Sequence, residues 1–356
     1  MFFEDALKNC IFRYRAGSWA YGTQASDGSS DEDYRGVFVA PLRQAFDLFH
    51  TSFVGSEATL GGWLSKVKDA VEVGDKDAAL EYLRNAMLPD QGDLQFSVQT
   101  VQRPGHDEEL HELRKFLSLA AACNPNIIEF LYVEPPILIT HETEVWRTVK
   151  AHRHLFLSKR AKHTFSGYAI AQLKRIQRHR GYLLNPPTHQ PARAEFGLPE
   201  ETTVAREYHK ALLSLPIEWV KDEARDIVRR EKQYATAKEA WCSYQNWERE
   251  RNPARREMER RFGYDGKHAA HLIRLIRMAK EILTEGIVRV YRPDHEELLA
   301  IRHGAWTYEQ VVAYAEEADR ELDSLYEASP LRHQPDYKGI AKLYREICEE
   351  HYGITI

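Results

Sequence analysis

The alternation of apolar and polar positions divides the chain into an early part with strand and helix signals and a later part dominated by helices. Residues 3–9 space their side chains as a short helix, and Ile11 to Arg15 alternate as a strand that stops at a Gly17-Ser18 turn. Tyr34 to Ala40, an apolar-rich run, reads as the next strand. The segment 42–100 has weaker periodicity, with Gly61-Gly62, a helical piece near 76–87 and a strand reading from Leu94 to Val101. From 107 to 121, DEELHELRKFLSLAA has helical spacing. Asn124-Pro125 punctuates it, and NPNIIEFLYV restarts a helix with Asn124 as cap and Pro125 at the first helical position.

After Pro135-Pro136 the strand signals nearly vanish. A long helix is predicted over 158–180, with an interruption near Ser166-Gly167, followed by a Pro-rich irregular loop over 185–200. Charged helical spacing covers 222–248. Gly266 to Gly286 is a further helix with Leu272, Ile273, Leu275, Ile276 and Ile282 on its apolar faces, and two or three helices fill 294–350. The pattern predicts an α+β protein: an N-terminal mixed-sheet domain over 1–138 and a mostly helical domain over 139–356. There are no internal repeats and no low-complexity tails.

Composition adds three points. The 356 residues are 43% hydrophobic and 29% charged, ordinary for a globular protein. No apolar run reaches 18 residues, so no membrane span is expected, and the acidic start does not read as a signal peptide. Cys10, Cys123, Cys242 and Cys348 form no CxxC pair, which fits a reducing cytoplasmic setting. Charge is uneven: the net value is −5, yet Arg147 to Arg180 contains ten Lys or Arg and no Asp or Glu, so the remainder carries −15. A basic stretch inside an acidic protein suits a surface that meets phosphates, or else a helix face balanced by acidic neighbours in space.

The candidate chemistry begins in GSWAYGTQASDGSSDEDYRGVFV, residues 17–39. In an extended strand, residues i and i+2 share a face. Asp31 and Asp33 therefore stand side by side with Glu32 opposite. Two adjacent carboxylates repel unless a cation lies between them, and Mg²⁺, or Mn²⁺ in its place, meets that need. The Gly17-Ser18 turn leaves backbone N–H groups free to approach phosphate oxygens. A two-metal site, with ions about 3.5–4 Å apart, needs a third carboxylate, for which Asp93, Asp107 and Glu109 are the candidates.

Further along, Lys162 could supply a point charge for phosphate, and Tyr168 could stack on a base or simply pack. Lys174, Arg175 and Arg178 suit a nucleic-acid backbone. Lys267, His268 and His271 lie at helical spacing. They read as a triphosphate or acceptor site, as two ligands of a zinc site that nothing nearby in sequence completes, or as surface histidines. Arg35, just after the acids, reads as their structural partner.

GSWAYGT together with SSDEDYRGVFV resembles the polymerase-beta-type nucleotidyltransferase superfamily, and within it the RNA-repair-associated, RlaP-like branch. Asp107, six residues before Leu113 of LRKFLSLA, and the following CNPNIIEFLY resemble the family's third-acid strand, helix and NPN turn. FLSKRAKHTFSGYAIAQLKRI (156–176), GYDGKHAAHLIRLIRMAKEILTEG (263–286) and RPDHEELLAIRHG (292–304) are similar to further family blocks. The resemblance implies a mixed sheet bearing the acids and transfer of a nucleoside monophosphate from an NTP to a hydroxyl. It implies that Asp31, Asp33 and Asp107 are the catalytic, metal-holding acids. It also implies nucleotide binding by Gly17 and Ser18, to which the reading of the helical blocks adds Lys162, Tyr168, Lys267, His268 and His271. GHDEELHEL is more polar than the family's third-acid strand, which leaves Glu109 as the alternative to Asp107. The expected partners are an NTP and an RNA acceptor, a tRNA or a damaged RNA end, contacted by Lys174, Arg175 and Arg178. The alternatives are a protein or small-molecule acceptor, or a catalytically idle RNA-binding module.

Overall fold

The computed structural model describes residues 3–24, 30–40, 98–103, 106–134, 136–200, 222–251 and 253–353. Gly61-Gly62, the helical piece near 76–87, Asp93 and the first part of the Leu94–Val101 strand lie outside the described residues.

Five strands form one sheet: β1 (Cys10–Arg15), β2 (Glu32–Phe38), β3 (Val98–Arg103), β4 (His106–Glu112) and β5 (Ile139–Glu142), in the order β3-β4-β2-β1-β5. The β2–β4 pair is parallel and the other pairings are antiparallel, so the sheet is mixed. Helices α1 (Phe3–Lys8) and α2 (Gly17–Tyr21) bracket β1. After β4 come α3 (Leu113–Ala121), α4 (Pro125–Ile128) and a 3₁₀ turn, Glu129–Tyr132. The helical region holds α5 (Glu144–Ala151), α6 (Arg160–Leu184), α7 (Asp222–Glu250), α8 (Pro253–Phe262), α9 (Gly266–Glu285), α10 (His295–Arg302), α11 (Tyr308–Ala328) and α12 (Tyr337–Tyr352). The α+β reading therefore stands.

Four local readings change. His106–Glu112 is a strand, not the start of a helix; helix begins only at Leu113, where the Glu112 side chain caps α3 by accepting from Lys115 N–H. The strand wins because it is hydrogen-bonded on both sides, to β2 and to β3, and such pairing overrides local helical spacing. The strand after the acids starts earlier than Tyr34, so Asp33 lies within it. The Gly17-Ser18 turn is the first turn of a one-turn helix. α6 runs through Ser166-Gly167 without a break. Beyond Pro136, β5 pairs with β1 and completes the sheet edge.

One face of the sheet carries the main core. Phe12 stacks on Trp146 of α5 at 4.2 Å between ring centroids, and Tyr14 meets Phe130 edge-on at 5.1 Å. The same buried cluster continues into the helices through Phe165, Leu272, Leu275 and Ile301. α6 and α9 pack along each other in this region, and α9 ends on Gly286 in the left-handed conformation that closes a helix. A smaller core on the other face joins Ala6, Cys10, Phe38, Ala40 and Leu110 under α1. All four cysteines are free, and no described helix is long and apolar enough to cross a membrane.

Candidate active site

The register of two parallel strands brings two of the candidate acids together. Asp33 on β2 is the direct partner of Asp107 on β4, and Arg35 is the partner of Glu109. Side chains of paired residues lie on the same face of a sheet. One face therefore presents Tyr14, Asp33, Arg35, Asp107, Glu109 and His111. Asp31 sits exposed one step before β2, close enough for its charge to act on Asp33. Burial holds the Asp33 carboxyl above its ordinary range; the charges of Asp107 and Asp31 push the same way, and those of Arg35 and Lys267 pull against them. Glu109 differs. Its Oε1 lies 3.1 Å from Nε2 of His111, and hydrogen bonding to that ring holds its carboxyl below the ordinary range.

Gly17 packs directly on Asp33. The Ala16 N–H donates to the Asp33 carbonyl at 2.7 Å, and Gly17 adopts φ +62°, a conformation that glycine tolerates best. A Cβ at position 17 would collide with Oδ2 of Asp33. α2 thus begins against the Asp33 carboxylate, and its N-cap, Ala16, offers no side-chain acceptor. The leading N–H groups of a helix have no partner within it, so Gly17 and Ser18 place such donors beside the acids.

The far end of α2 is anchored by a buried ionic cluster. Tyr21 donates its hydroxyl proton to Glu129, with oxygen–oxygen distances of 2.9 and 3.1 Å. Glu129 is 1% exposed and also meets Arg274 of α9 at 3.4 Å and Arg35 at 3.7 Å. Arg35 donates to the Asn126 carbonyl, and the Arg274 guanidinium lies 3.6 Å over the Tyr21 ring. Burial works against the charge on Arg35, but Tyr14, Tyr21, Glu129 and Glu109 outweigh it and keep it firmly protonated. The cluster joins α2, β2, the 3₁₀ turn and α9 through buried ionic contacts. Arg35 is thereby a structural partner of Glu129, with the acids feeling its charge at longer range. Glu129, Tyr21 and Arg274 were not among the residues singled out in the sequence. The signal was there: a single carboxylate inside the apolar run NIIEFLYV has to find buried cations.

The other named residues fall into three groups. Lys267, in the first turn of α9, acts on Asp33 by its charge. His271, one turn on, is pushed down to about 3 by burial and by the charges of Arg274, His268, Lys267 and Arg35, so it stands as a neutral ring. His268 bonds through Nδ1 to Oε1 of Gln172 at 2.9 Å. Lys162 forms an ion pair with Asp323 of α11 at 2.6 Å, and the Tyr168 hydroxyl accepts from Asn124 at 3.1 Å, so Tyr168 packs and bonds within the fold. Lys174, Arg175 and Arg178 stand exposed on α6 with no acidic partner among the described residues.

This arrangement defines a class of site: clustered carboxylates on parallel strands beside a glycine-initiated helical turn, with cationic charge from a neighbouring helix. Residues 97–185 match the model of the RlaP family, the RNA repair pathway DNA polymerase beta family. The likeness to the RlaP-like branch that the sequence motifs carried is borne out over that span, which includes Asp107 and the whole of α6. No curated protein and no solved structure matches the chain.

Proposed function

We propose that the protein is a metal-dependent nucleotidyltransferase that moves a nucleoside monophosphate from an NTP to a hydroxyl group, with RNA as the acceptor. The observation that carries this reading is the pairing of Asp33 with Asp107 across parallel strands, with the Gly17 backbone pressed against Asp33. The family described for residues 97–185, a polymerase beta family of RNA repair, supports both the reaction class and the acceptor.

The donor set fits a hard divalent cation. Asp33 and Asp107 are paired on one face of the sheet, and Asp33 is penalised by burial and by its acidic neighbours in the way that a bound cation would relieve. Asp31, Asp33 and Asp107 would hold Mg²⁺ or Mn²⁺, which when bound screens the triphosphate and the charge that builds on the attacking and leaving oxygens. The chain's own groups do the rest. The Gly17 and Ser18 N–H groups and the Ser18 hydroxyl hold the β and γ phosphates, and Lys267 adds positive charge. His268 and His271 line the first turns of the same helix. Lys162 and Tyr168, held by Asp323 and Asn124 within the fold, are left out of the nucleotide site. Asp107 takes the proton of the acceptor hydroxyl; the freed oxygen bonds to the α-phosphorus, the bond to the bridging oxygen breaks, and pyrophosphate leaves. Residues 1–138 would form the catalytic domain, and 139–356 would supply nucleotide and acceptor contacts.

The test is incubation with each labelled NTP, Mg²⁺ or Mn²⁺ and total cellular RNA or protein. Label should move to RNA, and Asp107→Asn should cut transfer by at least about 100-fold while Glu109→Gln stays within about threefold. Transfer by Asp107→Asn at the parent rate would end the reading, and label on protein alone would move the acceptor to that class.

A further inference from the structure

Apart from the acids of the sheet, a second group of metal-binding side chains meets between α6, α8 and α9. His179 comes from α6, Asp265 is the N-cap of α9, and His268 lies in its first turn; one ligand atom from each lies within 4.8 Å of the other two. His271, the partner that sequence spacing offered to His268, is not in the group. The missing ligand comes from a helix 86 positions or more away in the chain, beyond what local spacing reveals.

The distances are longer than those of hydrogen bonds. Nε2 of His268 lies 3.5 Å from Oδ2 of Asp265, and Nδ1 of His179 lies 3.8 Å from Oε1 of Glu259 on α8. Charge-assisted N–H···O bonds run at about 2.7–2.9 Å. A tetrahedral site with bonds of about 2.0–2.1 Å sets its ligand atoms about 3.3 Å apart. Nδ1 of His179 is buried with no hydrogen-bond partner among the described residues.

The outer atoms are already held. Gln172 Oε1 can only accept, so the His268 Nδ1 beside it carries the proton and Nε2 is directed to the group. Asp265 Oδ1 accepts from the Lys267 and His268 N–H groups, leaving Oδ2 for the group. Glu259 Oε2 accepts from Arg251 at 2.8 Å, leaving Oε1 toward His179. His268 and Asp265 are thus each backed by a fixed partner on the outer side, the usual support of a metal site.

We propose that His179, Asp265 and His268, with water in the fourth position, bind one Zn²⁺ that staples α6 to the start of α9. Two imidazoles with carboxylate oxygen suit zinc among the common divalent ions. The staple would fix the helix turn that carries Lys267, yet the inference stands whether or not the chain transfers nucleotides.

The experiment uses the full chain carrying Asp33→Asn, so that the acids of the sheet contribute less, stripped with chelator and titrated with Zn²⁺ against a chromophoric indicator. One equivalent should bind with submicromolar affinity. His179→Gln and Asp265→Asn should each weaken it at least about 100-fold; asparagine keeps the helix cap but loses the charge. Co²⁺ in place of Zn²⁺ should give the visible bands of a tetrahedral site, lost in His179→Gln. Circular dichroism before metal addition checks that each variant is folded, and a His268→Gln variant replaces any that is not. Equal zinc affinity in the parent and the folded variants, or octahedral cobalt spectra throughout, would overturn the proposal.

Discussion

On one face of the sheet Arg13 reaches past β2 to Glu108 at 2.6 Å, with its guanidinium 4.0 Å over the Tyr34 ring, and Arg15 meets Glu32 at 2.8 Å. On the other face Asp33 and Asp107 stand paired, with Asp31 just before β2, and with no such partner in hydrogen-bond contact among the described residues; the nearest cations act on Asp33 only at longer range. The same strands build both faces, so the contrast is one of side-chain choice. A charge paired one to one serves the fold, because its partner repays part of its desolvation. A cluster of like charges costs the fold something and is kept where a ligand supplies the missing sign.

The sharpest way to break this comparison is to neutralise one acid on each face. Asp33→Asn should abolish nucleotide transfer, by about 100-fold or more, without lowering thermal stability, since its charged form is disfavoured in the folded protein. Glu108→Gln should leave transfer nearly intact but cost about 1–3 kcal/mol, because it strands the partly buried Arg13. Transfer assays beside thermal unfolding decide the matter. If Asp33→Asn destabilises as much as Glu108→Gln, the acid cluster belongs to the fold.

The next effect in size falls on the ionic cluster that anchors α2. Glu129→Gln would leave Arg35 and Arg274 facing each other without their buried counter-charge, at a cost of about 2–4 kcal/mol. Because Tyr21 hangs from the same carboxylate, the Gly17 end of α2 should loosen, and KM for NTP should rise in the variant that remains folded. Denaturant unfolding followed by kinetics on the folded fraction separates the two effects. A stable variant with an unchanged KM would show that α2 is held in place by packing alone.

How far the chain disclosed this in advance depended on the reach of each interaction. Local signals were legible. The Asn124 cap, Pro125 at the helix start, the Gly286 stop and the spacing of Leu272, Leu275 and Ile276 all act within a few residues. β4 was misread because DEELHEL has helical spacing locally and owes its strand to two neighbours, one of them 70 or more positions earlier. Asp31, expected beside Asp33 on one strand face, lies one step before β2 and reaches Asp33 through its charge. That Asp107 rather than Glu109 stands opposite Asp33 is a fact of register, and no spacing within GHDEELHEL encodes it. His179 beside Asp265 depends on how two helices pack, which periodicity leaves open.

The smallest effect concerns α6, where the same contrast between paired and unpaired charge recurs along one stretch of chain. At its start the basic residues are matched: Arg147 with Glu142 and Glu144, Arg153 with Glu134, Lys162 with Asp323. Farther on, Lys174, Arg175 and Arg178 project into solvent, and His179 and Arg180 turn back toward Glu259 and Glu309. The balanced-helix reading thus fits the first part, and the phosphate-facing reading fits the three exposed cations. Replacing Arg175 and Arg178 with Ala should reduce the salt slope of single-stranded RNA binding by about 1.4, near 0.7 for each phosphate no longer neutralised, and leave NTP binding unchanged. Arg147→Ala should leave the slope as it is, since that side chain is already committed to two glutamates. Filter binding across a salt series measures both. Equal flattening by Arg147→Ala would mean that pairing within the fold does not decide which cations meet RNA, and an unchanged slope in the double variant would move the acceptor path off this helix.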